Sequence, residues 1–287
     1  MARWWIACVA LVIAGLLGGC GGGDSGEGGT TAGSAATGEA EAKVVAAAER
    51  MRTSSYRAVV EQRISVDTAG APDEVAEIFQ AVAGSGSSIV EAERGGERFR
   101  VIVEDSPGVP PFEIVLHDGD VFVVPDGSGP RRISGPFANF LADAADTGTD
   151  QLAEGIADVR DDGPATVDGR AVRRYTGHLS QEGVDAFTER AFASLGLGDA
   201  PVDFALRDSE VTVDLLGDGG LAHQRISAVV AIDFTRLLGS KVVVLETVDT
   251  DVTVRDEGAP ITVERPRATE EITDQEELGR VLAGVDP

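Results

Sequence analysis

Two long segments near the C-terminal end of the chain constrain its fold most strongly. Residues 221–234 and 241–255 alternate apolar and polar side chains over most of their length, which is the pattern of β-strands with one buried face. At about 3.3 Å per residue, each strand would span roughly 45 Å. In the first strand Ile226, Val230 and Ile232 share a face. Strands of this length predict a large sheet.

Turn signals recur through the rest of the chain. The pairs Gly95-Gly96, Asp118-Gly119 and Asp168-Gly169 each separate two alternating segments, and such pairs are typical of two-residue turns between antiparallel strands. These signals predict about ten strands, joined mostly by hairpins. A short last strand is expected at 260–264, where Pro260 and Pro266 suit a sheet edge.

Amphipathic helices are predicted between these strands, since apolar residues recur there at helical spacing. Residues 74–84 fit helical spacing too, but they remain ambiguous. The predicted helices are 39–52, a stripe within 136–144, 149–157, a segment from the N-cap Ser180 to Gly196, and a C-terminal segment after a capping box of Thr273 and Glu276.

Runs of strands with a separate cluster of helices indicate an α+β protein. A sheet of this many long, twisted strands curls. We therefore expect a single antiparallel, strongly curved sheet, a half-barrel, with helices covering its concave face. That arrangement would make an apolar cleft between sheet and helices, where ligands often bind.

The N-terminus has the layout of an export signal. Arg3 precedes an apolar run from Trp4 to Leu17, which is too short for a comfortable bilayer span. The run ends in Leu17-Gly18-Gly19-Cys20 and resembles a bacterial lipobox. The resemblance implies a signal peptide over 1–19, cleavage between Gly19 and Cys20, and lipidation of Cys20. The alternatives are an ordinary secretory signal with a chance cysteine, or an uncleaved anchor helix.

A flexible spacer follows the predicted lipidation site. Residues 21–38 are rich in Gly, Ser and Thr and lack apolar periodicity, which is typical of a coil. Residues 20–38 are therefore interpreted as the lipidated cysteine with its tether, and residues 39–287 as one folded domain. The domain would face outside the cytoplasm and be held at the cell membrane by a covalent lipid such as palmitate.

The charge excludes some partners. The chain carries 24 Lys and Arg against 49 Asp and Glu, a formal net charge of -25, and such a surface repels the phosphates of nucleic acids. No pattern indicates catalysis, a metal site or a cofactor. His117, His178 and His223 are far apart in sequence, without acidic or thiol partners at a motif spacing, and the only other cysteine, Cys8, lies in the signal. We do not expect an enzyme.

The order of these features resembles a known family. A lipobox cysteine, a Gly-rich tether, an Ala-rich helix, a long first strand and successive hairpins precede the stretch GLAHQRISAVVAIDF and the ending ITVERP (261–266). This resembles the LolA/LolB-type fold, in particular the LppX/LprG-like branch of actinobacterial lipoproteins. The resemblance implies that the domain carries or senses an acylated lipid or glycolipid in the cleft.

The function expected from the sequence is non-enzymatic lipid binding at the membrane. The alternative is an extracytoplasmic sensor or interaction module that regulates an unknown protein partner without lipid cargo. A closed core would favour the alternative, and an open cleft would favour lipid binding. The residues expected to line the cleft are Val60, Ile64, Val101, Leu116, Phe137, Phe140, Phe187, Phe192 and Val230.

Overall fold

The computed structural model describes residues 35–95, 97–106, 109–135, 138, 155–194, 201–268, 270–282 and 284. Twelve strands in this part of the chain form one sheet. The strands are β1 (Tyr56–Asp67), β2 (Gly84–Ala92), β3 (Arg98–Asp105), β4 (Phe112–His117), β5 (Asp120–Pro125), β6 (Arg131–Ile133), β7 (Ile156–Val167), β8 (Arg170–Leu179), β9 (Asp203–Leu216), β10 (Leu221–Asp233), β11 (Val243–Val254) and β12 (Glu270–Ile272). The helices are α1 (Ala35–Thr53), α2 (Asp73–Val82), α3 (Gln181–Ser194), α4 (Thr235–Leu238) and α5 (Gln275–Leu282).

The sheet consists of two meanders joined side by side. Its strand order is β12-β6-β5-β4-β3-β2-β1-β11-β10-β9-β8-β7. The strands from β1 to β6 and from β7 to β11 lie side by side in chain order, connected by turns, loops or the helices α2, α3 and α4, and the pairing of β1 with β11 joins the two meanders. The sheet is open, with β12 and β7 at its edges.

The expectation of a purely antiparallel sheet is wrong at one edge. Strand β12 runs parallel to β6, with Glu270 opposite Arg131 and Ile272 opposite Ile133. The sheet is therefore mixed, although its other pairs are antiparallel as predicted. Segments of three residues contain too little alternation to be predicted as strands.

The predicted last strand at 260–264 is also wrong, because these residues are irregular. Val263 packs with Val115 and Phe122 in a small second cluster, and its N–H donates to the side chain of Glu93 at 2.5 Å. A proline cannot donate to a strand ladder, and two of them flank this segment. It therefore covers the sheet with side chains and does not extend it.

The hairpin predictions at Asp118-Gly119 and Asp168-Gly169 are confirmed, and β2 pairs with β3 as predicted, although Gly96 of the Gly95-Gly96 turn lies outside the described residues. Strands β4 and β5 pair around Asp118 and Gly119, and β7 and β8 pair around Asp168 and Gly169. All four turn residues have positive φ, with values from 48° to 82°. Asp and Gly tolerate this left-handed backbone better than most residues, which explains why such pairs form these turns.

Most helix predictions hold. The helix at 39–52 is confirmed and is longer than predicted, and the ambiguous residues 74–84 include helix α2. Helix α3 follows Ser180, whose Oγ accepts the N–H of Gly183 at 3.0 Å. The helix predicted at 149–157 is wrong at its end, where Ile156 pairs with Leu179 in the β7–β8 hairpin.

Two other predicted helices fall partly or wholly outside the part of the chain that the structure describes. Residues 149–154 and the stripe within 136–144, apart from residue 138, lie outside the described residues. The C-terminal helix is confirmed as α5, with Leu278 and Val281 buried. It begins after Asp274, whose carbonyl oxygen accepts the N–H of Leu278 at 3.1 Å.

One face of the sheet, called here the core face, packs against the helices. Buried residues of α1, α2 and α5 belong to the same apolar cluster as the buried residues of β1, β10 and β11. Phe79 of α2 meets Phe234 edge-on, with ring centroids 5.8 Å apart. The opposite face, called here the outer face, carries most of the charged residues of these strands.

Candidate functional site

The structure places five of the predicted lining residues on the core face. Val60 and Ile64 lie on β1, Val101 on β3, Leu116 on β4 and Val230 on β10. Four of them are buried, and Val101 is partly buried against the same cluster. Alternation along each strand is what brings them to one face. That they line a cavity stays a prediction.

The other predicted site residues cannot be placed in this way. Phe137 and Phe140 lie outside the described residues. Phe187 and Phe192 fall within α3, but their side chains are also outside the described part. Gly19 and Cys20 precede it, so signal cleavage and lipidation remain predictions.

Apolar side chains at one border of the core face are only partly buried. Phe204 and Leu206 of β9 pair with Ile232 and Val230 of β10, and both are only partly buried. Leu237 in the neighbouring helix α4 is partly buried as well. Among the described residues, the apolar side chains at this border are thus only partly buried, whereas those at the centre of the layer are buried.

Glu246 is an acidic residue within this apolar layer. It lies on β11 opposite Val66 of β1 and Val230 of β10, and its neighbours on the same face of its own strand are Val244 and Val248. The residue is 0% exposed. Neither carboxyl oxygen has a hydrogen-bond partner among the described residues.

Burial raises the pKa of the Glu246 carboxyl to about 8. A charged carboxylate loses its hydration in an apolar layer, so the neutral form is favoured. Glu246 is therefore mostly protonated at neutral pH. In that form it holds one O–H donor and one carbonyl acceptor, both unused.

Sequence reasoning missed Glu246, although a signal was present. The alternation of β11 assigns Val242, Val244 and Val248 to the inward face, and the same alternation puts Glu246 between them. A carboxyl at an inward strand position is uncommon, because buried charges are costly without a partner. Alternation alone therefore could have singled it out.

The outer face holds a ladder of charged residues. Arg174 of β8 donates two hydrogen bonds to Asp214 of β9, at 2.8 and 2.9 Å. His223 of β10 lies between Asp214 and Asp251, with a distance of 3.0 Å to each carboxylate. Asp214 is 0% exposed. The ladder connects four neighbouring strands, and this is a structural role that needs no substrate.

The ladder gives His223 partners that local sequence spacing does not indicate. His223 does have acidic partners, but they come from other strands, 9 and 28 residues away in sequence. The other two histidines also have polar neighbours: His117 lies 3.2 Å from Asp118, and His178 contacts the carbonyl oxygen of Ser209. Within the described residues, no group of three or more His, Cys, Asp or Glu side chains could hold a metal ion.

Two surface pockets have charged side chains in their lining. One, of about 410 Å³, is lined by residues that include Glu61, Arg63 and Asp249. The other, of about 630 Å³, is lined by residues that include Arg132 and Arg265. Arg265 contacts Asp120 and lies over the ring of Phe122, 5.6 Å from its centroid. Neither pocket is the apolar cleft that the sequence predicts.

Comparison with solved structures finds three similar proteins of note. The lipoprotein LppX of Mycobacterium tuberculosis is 16% identical with a TM-score of 0.44, over 79% of this chain and 99% of that chain. LprF from Mycobacterium bovis is 13% identical with a TM-score of 0.41, over 80% and 97%. A LolA superfamily protein from Nitrosomonas europaea is 13% identical with a TM-score of 0.29, over 79% and 96%.

The similarity to LppX-type and LolA-type structures agrees with the resemblance in the sequence. TM-scores below 0.5 say which proteins the chain is similar to, and nothing about what it binds. No family model and no curated protein matches the sequence. Among the described helices, none is both long and apolar enough to cross a membrane.

Proposed function

We propose that this chain is a membrane-anchored, extracytoplasmic lipoprotein that binds an acylated lipid between its sheet and its helices and has no enzymatic activity. The observation that motivates the proposal is the continuous apolar layer that the sheet and the helices share, in which Phe204 and Leu206 at one border are only partly buried. An acyl chain could enter at this border and lie along the strands.

Burial of the acyl chain would be the main favourable contribution to such binding. Each methylene that leaves water contributes about 0.8 kcal/mol, so a chain of sixteen carbons contributes about 12 kcal/mol relative to a lipid monomer in water. Loss of translational and rotational freedom costs about 4–15 kcal/mol, which is of the same size.

The anchor follows from the lipobox. A diacylglycerol group on Cys20, with or without a further acyl chain, would hold the mature protein at the membrane. The tether of 18 residues then gives the domain roughly 20–25 Å of mean reach. We expect labelled palmitate to attach to the exported wild-type protein and not to the Cys20→Ser variant. Equal labelling of both proteins would refute lipidation at Cys20.

Mass spectrometry of lipid extracts tests the cargo. A non-acylated form lacking residues 1–20 is exported through a cleavable signal, purified and extracted with organic solvent. We expect one lipid class at near-stoichiometric amount. An empty protein would contradict lipid binding, and an empty protein that captures a stoichiometric protein partner would favour the sensor alternative.

A matched pair of variants locates the site. Leu206 faces the core layer at its border, whereas Leu245 is 38% exposed on the outer face. Leu206→Glu should reduce the recovered lipid several-fold, because it places a charge at the entrance of an apolar site. Leu245→Glu should leave the recovery unchanged. Equal recovery from both variants would exclude this border as the entrance.

A further inference from the structure

The Glu246 carboxyl has no structural reason to be where it is. Polar groups inside proteins are nearly always hydrogen-bonded, and an exception calls for an explanation. The ladder on the outer face shows the usual solution, since the buried Asp214 has both Arg174 and His223 as partners. Glu246 has none among the described residues. An apolar residue of similar size would fill the same space at lower cost.

The surroundings of Glu246 show which groups near it could act as hydrogen-bond partners. Its neighbours across the two adjacent strands are valines 66 and 230. Polar groups on the same face, Gln62 and Thr250, lie further along the strands, and the Gln62 amide donates to the Thr250 hydroxyl at 3.4 Å. Among the described residues no charged group shifts the pKa of Glu246, and burial is the cause that raises it. The described residues therefore offer the Glu246 carboxyl no hydrogen-bond partner.

The position of Glu246 fits the path of a lipid. Val230 of β10 lies between Glu246 of β11 and Leu206 of β9, which is partly buried at the border of the core face. Strands are about 4.8 Å apart, so Glu246 lies roughly 10 Å from the border. A polar group of a lipid that enters there would reach the carboxyl while its acyl chain stays in the apolar layer.

We infer that Glu246 hydrogen-bonds the polar group of the bound lipid, and that this group is an uncharged oxygen acceptor such as an ester carbonyl or a hydroxyl. The inference rests on the proposed function and adds a specificity-determining residue to it. The protonated carboxyl donates its O–H to the ligand oxygen. A carboxylate headgroup fits less well, since it would bring a second acid into the same apolar layer.

Photo-crosslinking with three probes tests this inference. The acylated mature protein is placed in phosphatidylcholine vesicles with C16 probes that carry a diazirine and end in a methyl ester, a carboxylate or a plain methyl group. We expect the wild type to be labelled on core-face peptides, with the ester about five-fold above the plain hydrocarbon, the effect of one net hydrogen bond. The carboxylate should label no better than the hydrocarbon.

Three variants separate the possible outcomes. Glu246→Leu should lose the five-fold preference and keep hydrocarbon labelling, whereas Glu246→Gln should keep the preference, because its amide N–H also donates. Glu210→Leu, a change of an exposed glutamate on β9, serves as the control and should behave as the wild type. An ester preference that survives in Glu246→Leu would overturn the role of Glu246. Absence of core-face labelling in the wild type would instead overturn the proposed function.

Discussion

The buried carboxyl of Glu246 makes the stability of the lipid-free protein depend on pH. Its pKa is about 8 in the folded protein against a usual value of 4.5. Between these values the folded state holds a proton that the unfolded state has released. The free energy of unfolding therefore falls as pH rises, by up to about 1.4 kcal/mol per pH unit.

Replacement of Glu246 by glutamine removes this dependence. From pH 5 to pH 8 the free energy of unfolding of the wild type falls by about 3 to 4 kcal/mol through this carboxyl. We expect Glu246→Gln to be more stable than the wild type at pH 8, with an advantage that shrinks by that amount at pH 5. Urea unfolding of the lipid-free protein at pH 5, 6, 7 and 8, followed by circular dichroism, measures the difference.

Two comparisons make the result decisive. Other titrating groups affect wild type and variant alike, so they cancel in the difference. Glu210→Gln, a change of an exposed glutamate, should stay within about 0.5 kcal/mol of the wild type at each pH. A constant difference between Glu246→Gln and the wild type across this pH range would refute the reasoning, because it would mean that the carboxyl is not buried.

Two further stability predictions concern the sheet. Arg174→Ala should destabilise the protein by about 1–3 kcal/mol in urea unfolding, since it deprives the buried Asp214 of two hydrogen bonds. The control Arg236→Ala breaks an exposed ion pair and should lower the free energy of unfolding by less than about 1 kcal/mol. Equal losses in the two variants would contradict this account. Gly177→Ala should lower the melting temperature, since its Cβ would lie 2.8 Å from a backbone oxygen. Gly217→Ala has open space, and an equal drop there would refute the steric reason.

Local patterns in the sequence predict much of the sheet. Turn pairs such as Asp118-Gly119 predict the hairpins, and alternation predicts which side chains of each strand face the core. Both are local properties that need no knowledge of the rest of the chain. The pairing of β1 with β11 joins residues almost 200 positions apart, and no local signal specifies it. The three-residue strands β6 and β12 escape prediction because they are too short for a period.

The candidate site is only partly predictable for the same reason. The apolar members of the core face, such as Val60 and Val230, follow from alternation. That Glu246 lacks a partner depends on which strands lie beside β11, and His223 finds its two acids only through strand pairing. Partners that come from distant strands are not visible in one sequence.

The most direct test of lipid binding between the sheet and the helices uses a brominated lipid. Crystals of the exported protein would be grown with an acyl lipid that carries bromine on its chain, and anomalous diffraction would locate the bromine. We expect the anomalous peak on the core face, between Val60 and Val230 on one side and the helices on the other. Bromine found only on the outer face would contradict the account. So would a core filled by protein side chains alone, with no bromine.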